Sequence, residues 1–158
     1  MKVVILAGGF GTRLSEETGL IPKPLVEIGT RPIIWYIMKM YERAGLTDFV
    51  ICCAYKAAMV KSYFVKYFTE NYDVRVDLGQ NSCEFLGEPN ETWSVTLVDT
   101  GLDTMTGGRL RRVKKYLGDE PSCLTYGDGV ADLDLRDGVE CFAILKATAI
   151  ARADVGHE

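Results

Sequence analysis

Lys2-Val-Val-Ile-Leu-Ala-Gly-Gly-Phe-Gly-Thr-Arg-Leu14 decides the fold of this chain. Val3 to Ala7 is a short β-branched run ending in glycines, the pattern of a strand buried on both faces of a parallel sheet. The glycines that follow let backbone amides come close to a ligand. Arg13 adds a permanent cation with a planar donor fork.

Outward from that strand, Gly8 to Gly29 reads as loop, punctuated by Pro22 and Pro24. Pro32 opens a helical pattern through Ile33, Ile34, Ile37, Met38 and Tyr41 that stops at Gly45. Asp48 to Cys53 is a second strand, with Cys52 and Cys53 expected on opposite faces. Met59 to Phe68 repeats apolar residues at helical spacing, and Tyr63, Phe64, Tyr67 and Phe68 are assigned to the core. Val74 and Val76 mark a weaker strand, and Glu84 to Asn90 reads as loop. Trp93, Val95, Leu97 and Val98 suggest a further strand, and Leu110, Val113 and Leu117 a helix face running to Gly118. Cys123 to Tyr126 is the last clear strand, closed by Gly127-Asp128-Gly129. Strands alternating with helices predict an α/β fold with a mainly parallel sheet covered on both faces. No repeat, linker or low-complexity stretch divides it.

The 158 residues suit one domain. At 47% hydrophobic and 25% charged, the chain is neither disordered nor fibrous. A net charge of −4 disfavours sequence-independent nucleic-acid binding. No apolar run approaches the roughly 20 residues of a membrane span, and the start is too short for a signal peptide's apolar core. The five cysteines contain no C-x-x-C pair and there is one His, His157, so no zinc site is expected. Free thiols in a reducing compartment, and hence a soluble cytoplasmic protein, are the expectation.

In parallel sheets, ligands bind at the carboxyl ends of strands. Two unusual segments fall there: Gly8 to Arg13 and Gly127 to Gly129. The first is not a P-loop, which needs Gly-Lys-Ser/Thr, and Leu14 breaks the dinucleotide pattern. The glycines alone would serve a tight turn as readily as an anion, and Thr12 and Arg13 tilt the reading toward phosphate. Pro22-Lys23-Pro24 presents a lysine on a fixed backbone, suited to polyphosphate, although a solvated surface lysine is the commoner use of such a tripeptide. Asp128, between glycines at a strand end, is placed like a magnesium carboxylate or a β-turn aspartate, with Asp132 and Asp134 nearby. Thr104 to Arg109 is a second glycine loop, opening a helix. The basic cluster after it (Arg111, Arg112, Lys114, Lys115) reads as a solvated face.

Together these residues resemble the sugar-1-phosphate nucleotidyltransferases. The motifs are Leu6-Ala-Gly-Gly-Phe-Gly-Thr-Arg-Leu14, Pro22-Lys23-Pro24 and Tyr126-Gly-Asp-Gly129. Val26-Glu-Ile-Gly29, Val95-Thr-Leu-Val-Asp-Thr-Gly101 and Met105-Thr-Gly-Gly-Arg-Leu110 resemble the cytidylyltransferase branch that uses glucose 1-phosphate. The likeness covers residues 1 to about 138 and implies a Rossmann-like three-layer fold. It implies that Leu6, Ala7, Gly8 and Gly9 line the nucleotide, that Gly11, Thr12 and Arg13 wrap its triphosphate, and that Lys23 binds the phosphates. It further implies nucleotide contacts from Thr104, Gly107, Arg109 and Gly127, and Mg²⁺ on Asp128. Arg13 and Lys23 would be the catalytic pair. The substrates would be CTP and glucose 1-phosphate, the product CDP-glucose for surface polysaccharide (O-antigen, lipopolysaccharide), and the state a homo-oligomer.

The family's Glu-Lys-Pro segment for the sugar phosphate is not found, and the tail after about residue 138 does not align. The expectation is a C-terminally truncated single domain, 1–158, with the nucleotide half present. A chain that binds CTP and Mg²⁺ without transfer is the alternative. A nicotinamide-dependent oxidoreductase is disfavoured by Leu14 and by the Cys53-Ala-Tyr-Lys56 strand end, which lacks an acidic residue. A purely structural role would leave Arg13, Lys23 and Asp128 without a shared purpose.

Overall fold

Alternate residues of the first strand feed two different cores. In the computed structural model, which describes residues 1–9, 21–128 and 148–150, β1 (Lys2–Ala7) is buried from Val3 onward. Val3, Ile5 and Ala7 pack on one side with α1 (Ile33–Arg43), and Val4 and Leu6 on the other with α4 (Thr106–Leu117). β4 (Asp48–Cys53) splits the same way, Phe49, Ile51 and Cys53 against Val50 and Cys52. The adjacent cysteines thus lie on opposite faces, as alternation requires.

Strand order in the main sheet is β7-β4-β1-β8-β9. β7 (Ser94–Asp99), β4, β1 and β8 (Ser122–Tyr126) run parallel, and β9 (Thr148–Ile150) is antiparallel to β8. The chain leaves β1 toward β4 and β7, then returns to lay β8 on β1's other side. That reversal of order opens a crevice at the carboxyl ends of β1 and β8. The fold is therefore the α/β, Rossmann-like, mainly parallel architecture that the sequence predicts.

Prolines and glycines punctuate as expected. Pro32 caps α1, and Gly45 at φ +78° ends it, with Gly45 N–H donating to Glu42 O (2.8 Å) and Leu46 N–H to Tyr41 O (3.0 Å). The apolar face of α1 is spent on the core: Ile34, Ile37 and Met38 are fully buried.

Several expectations need correction. The stretch from Glu84, read as loop, begins within β6 (Ser82–Leu86), which pairs antiparallel with β5 (Asp73–Asp77) in a separate hairpin outside the main sheet. β5 falls where Val74 and Val76 mark a weaker strand, whereas β6 is exposed at every position but Leu86 and so has no buried face to signal it. The helix expected over 59–68 starts earlier and divides into α2 (Ala57–Val65) and α3 (Tyr67–Asn71) at Lys66. Phe68 is not core: it is 44% exposed and stacks on Phe85 of the hairpin. The 8–29 loop also holds a 3₁₀ turn at Lys23–Leu25, and β2 (Glu27–Ile28) pairs with β3 (Arg31–Pro32). Arg111, Lys114 and Lys115 are exposed as expected of a solvated face, but Arg112 departs from it: its Nη1 donates to Thr100 O. Among the described residues no helix is long and apolar enough to cross a membrane.

Candidate functional site

A cleft of about 600 Å³ occupies the crevice at the ends of β1 and β8, within the range of small-molecule sites. Eight of the sequence candidates line it: Leu6, Ala7, Gly8, Gly9, Lys23, Thr104, Arg109 and Asp128. Gly107, on the exposed first turn of α4, and Gly127, buried behind Asp128, do not. Gly11, Thr12, Arg13, Asp132, Asp134 and His157 lie outside the described residues.

Lys23 reaches the cleft because the prolines fix its turn. Pro22 is extended (φ −67°, ψ 140°), Pro24 is buried, and Leu25 N–H donates to Pro22 O at 2.8 Å. Asp128 comes to the same place from the far side, on the turn after β8. Gly127 N–H donates to Leu6 O (2.9 Å), and a β-carbon on Gly127 would stand 3.2 Å from both Leu6 O and Pro24 Cγ. The absence of a side chain there seats the Asp128 turn directly on the lysine turn. As a result Lys23 Nζ lies 3.5 Å from Asp128 Oδ2, the lysine side chain 17% exposed and the aspartate 38%.

Arg109 has a larger part than its sequence position suggested. It is 8% exposed, pointing inward from α4 one turn before Val113. Its Nε donates to Thr104 O (2.8 Å), Nη1 to Thr100 Oγ1 (3.0 Å), and Nη2 to Gly8 O (3.3 Å) and Leu102 O (3.4 Å). Thr100 Oγ1 in turn donates to Cys53 O at 2.9 Å. One guanidinium therefore ties the glycine loop, the 100–104 loop and the end of β4 into a single cleft wall. The buried cation draws on carbonyl dipoles, and a rigid five-donor fork is suited to that.

Burial pushes the Cys52 thiol up to about 11, with Arg109 pulling the other way, and the Cys53 thiol up to about 12. Both are protonated at neutral pH and offer no thiolate nucleophile.

Sequence reasoning missed the apolar rim. Met105 (83% exposed), Tyr126 (57%) and Leu102 (44%) all border the cleft. Leu102 and Met105 flank Thr104 in the same loop, which was the signal available.

Among the described residues no group of three or more His, Cys, Asp or Glu could cage a metal. A single carboxylate beside a lysine fits Mg²⁺ only as a cation shared with ligand phosphates, the usual habit of that ion.

The nucleotidyl transferase family model matches residues 2–84. Glucose-1-phosphate cytidylyltransferase of Salmonella typhimurium is 55% identical over 141 residues, covering 89% of this chain and 55% of that protein. A probable glucose-1-phosphate cytidylyltransferase of Bacillus subtilis is 47% identical over 135 residues, covering 85% and 53%. The chain thus spans about half the length of the curated relatives it matches. Among solved structures, HddC from Yersinia pseudotuberculosis complexed with GMP-PN superposes with a TM-score of 0.56 at 29% identity, over 80% of this chain and 47% of that one. UTP-bound UGPase from Acinetobacter baumannii, at 21% identity and TM-score 0.59 over 80% and 45%, shares the fold. With β1, its glycine loop and the Pro22-Lys23-Pro24 turn all inside the matched segment, this chain belongs to the nucleotidyl transferase family.

Proposed function

We propose that this chain carries the nucleotide-binding half of a glucose-1-phosphate cytidylyltransferase, with residues 1–158 as one domain. The observation that carries the reading is the approach of Lys23 to Asp128 across a cleft floored by Gly8 and Gly9. A triphosphate needs a cation on one side and a carboxylate able to share a divalent metal on the other. Both stand here at the strand ends. The relatives' activity, glucose-1-phosphate cytidylyl transfer, points to CTP and glucose 1-phosphate as the substrates.

On this reading Leu6 to Gly9 line the nucleotide, Gly11 to Arg13 wrap the triphosphate, and Lys23 neutralises it. Thr104 faces the nucleotide, while Arg109 shapes the wall beside it, with Gly107 opening the helix behind. Asp128, backed by Gly127, would hold Mg²⁺, which when bound spreads the phosphate charge. A phosphate oxygen of the sugar phosphate attacks the α-phosphorus in line. A new phosphorus–oxygen bond forms, the bond to the bridging oxygen breaks, and pyrophosphate leaves with that electron pair. The nucleophile is already an anion, so the protein's work is positioning and charge stabilisation, led by Arg13 and Lys23. The reading places the enzyme in the cytoplasm, as a homo-oligomer serving surface-polysaccharide synthesis.

Calorimetric titration tests it. CTP with Mg²⁺ is expected to bind in preference to UTP, dTTP and ATP, and Arg13→Ala and Lys23→Ala are expected to abolish binding. No CTP binding by a folded chain would overturn the reading. Pyrophosphate release with glucose 1-phosphate then separates transfer from binding alone.

A further inference from the structure

Lys23 and Asp128 are each held at the backbone and meet at their tips. The lysine's main chain is set by Pro22, Pro24 and the Val26 N–H bond to Lys23 O (3.1 Å). The aspartate's is set by the Gly127 N–H bond to Leu6 O, and Gly127 itself abuts Pro24. The two turns are thereby held against each other, and the lysine's four-carbon stem is what can take its ammonium elsewhere. At 3.5 Å, with the lysine side chain 17% exposed, the ammonium covers one oxygen of the carboxylate in a medium less screening than water.

That arrangement bears on the site's occupancy. Resting on the functional reading above, we infer that Lys23 is the internal counterion of Asp128, so that the carboxylate takes a divalent cation weakly until a polyphosphate draws the ammonium away. An ammonium and a divalent ion cannot both sit on this carboxylate without repelling each other. Triphosphate oxygens give the ammonium a new partner and give the metal its remaining ligands, so one ligand converts competition into cooperation. Linkage makes the effect reciprocal: metal strengthens nucleotide binding by the factor with which nucleotide strengthens metal binding. The cleft is thereby kept from filling with metal alone, which fits the absence of any three-ligand cluster among the described residues.

Mn²⁺ binding to the full chain tests this without reference to turnover. Free Mn²⁺ is measured by electron paramagnetic resonance without nucleotide, for wild type, Lys23→Met, Lys23→Gln and Lys23→Arg. The two uncharged variants are expected to bind Mn²⁺ roughly five-fold more tightly than wild type, the scale of a partly exposed ion pair. Lys23→Arg is expected to stay at the wild-type level, and adding Asp128→Asn to either uncharged variant removes the gain. A parallel measurement follows water-proton relaxation by Mn²⁺–CTP on wild type and Asp128→Asn. Equal affinity of wild type and both uncharged variants, with relaxation still dependent on Asp128, overturns the inference and leaves the functional reading standing. Relaxation unaffected by Asp128→Asn overturns both.

Discussion

A β-carbon on Gly8 would stand 1.9 Å from Nη1 of Arg109 and 2.9 Å from Cβ of Ala54. The guanidinium fills the space that a side chain on the glycine loop would need. An arginine tip usually yields easily, but this one is held by Thr100, Thr104, Leu102 and the Gly8 carbonyl itself. Gly8→Ala must therefore evict Arg109 or displace the end of β1 from β4. The expected cost is about 1–3 kcal/mol in denaturant unfolding, with CTP affinity falling at least roughly ten-fold. An alanine variant with unchanged stability would show that the wall is not tied as described.

The reciprocal substitution removes the fork and keeps the charge. Arg109→Lys leaves one ammonium to replace contacts to three carbonyls and a hydroxyl, none of which a lysine can span together. Stability is expected to drop by about 2–4 kcal/mol, because buried acceptors lose their donors. Gly8→Ala and Arg109→Lys share these partners, so a double-mutant cycle should show their effects to be less than additive.

The two central thiols give a pH prediction. Cys52 is raised to about 11 and Cys53 to about 12, each chiefly by burial. Raised folded values mean that the unfolded chain releases these protons first. The stabilisation from keeping the thiols neutral is complete below the unfolded thiol range and falls as pH rises toward 11 and 12. The slope in that window is up to about 1.4 kcal/mol per pH unit per thiol. Urea unfolding in alkaline buffers checks the sign, and Cys52→Ala with Cys53→Ala should make it shallower, leaving the share of Tyr41, Tyr63 and Tyr67, whose hydroxyls burial also pushes up. Alkylation at pH 8 followed by peptide mapping should label the exposed Cys83 and spare Cys52 and Cys53.

What the sequence disclosed follows from where burial acts. β1, α1 and β8 were legible because they end at glycine or begin after proline, and β4 because Phe49 to Cys53 is an unbroken apolar run. Of the hairpin, β5 was legible from Val74 and Val76, but β6 was not, since a strand exposed along most of its length carries no core to mark it, and its Phe85 packs on Phe68 of a separate element. The break at Lys66 was hidden because Tyr63, Phe64 and Tyr67 keep helical spacing through it. At the site, Lys23 and Asp128 were readable from proline and glycine neighbours. Arg109 was set apart from Arg111 and Arg112 by its glycine loop, but its inward turn onto main-chain carbonyls was not readable, because those acceptors include Gly8 O, from a segment distant in sequence. Its place one turn from Val113 on the buried face of α4 was the available clue.

Gly127 gives the last prediction. Its backbone has no need of a positive φ, so glycine is required there by contact alone. A methyl group at this position would touch Leu6 O and Pro24 Cγ, each at 3.2 Å, closer than carbon normally sits. One contact is to strand backbone and the other to a proline ring, and neither can rotate aside. The relief is a shift of the turn by a few tenths of an ångström, carrying Asp128 away from Lys23. Gly127→Ala is thus expected to cost only about 1 kcal/mol of stability, since the strand register from Lys2 to Leu6 need not change. CTP binding with Mg²⁺ should weaken several-fold more than binding without metal, because the misplaced group is the carboxylate and not the lysine. Calorimetry of the variant with and without Mg²⁺ separates the two. Equal losses in both titrations would mean that Gly127 only supports the cleft floor and does not set the position of Asp128.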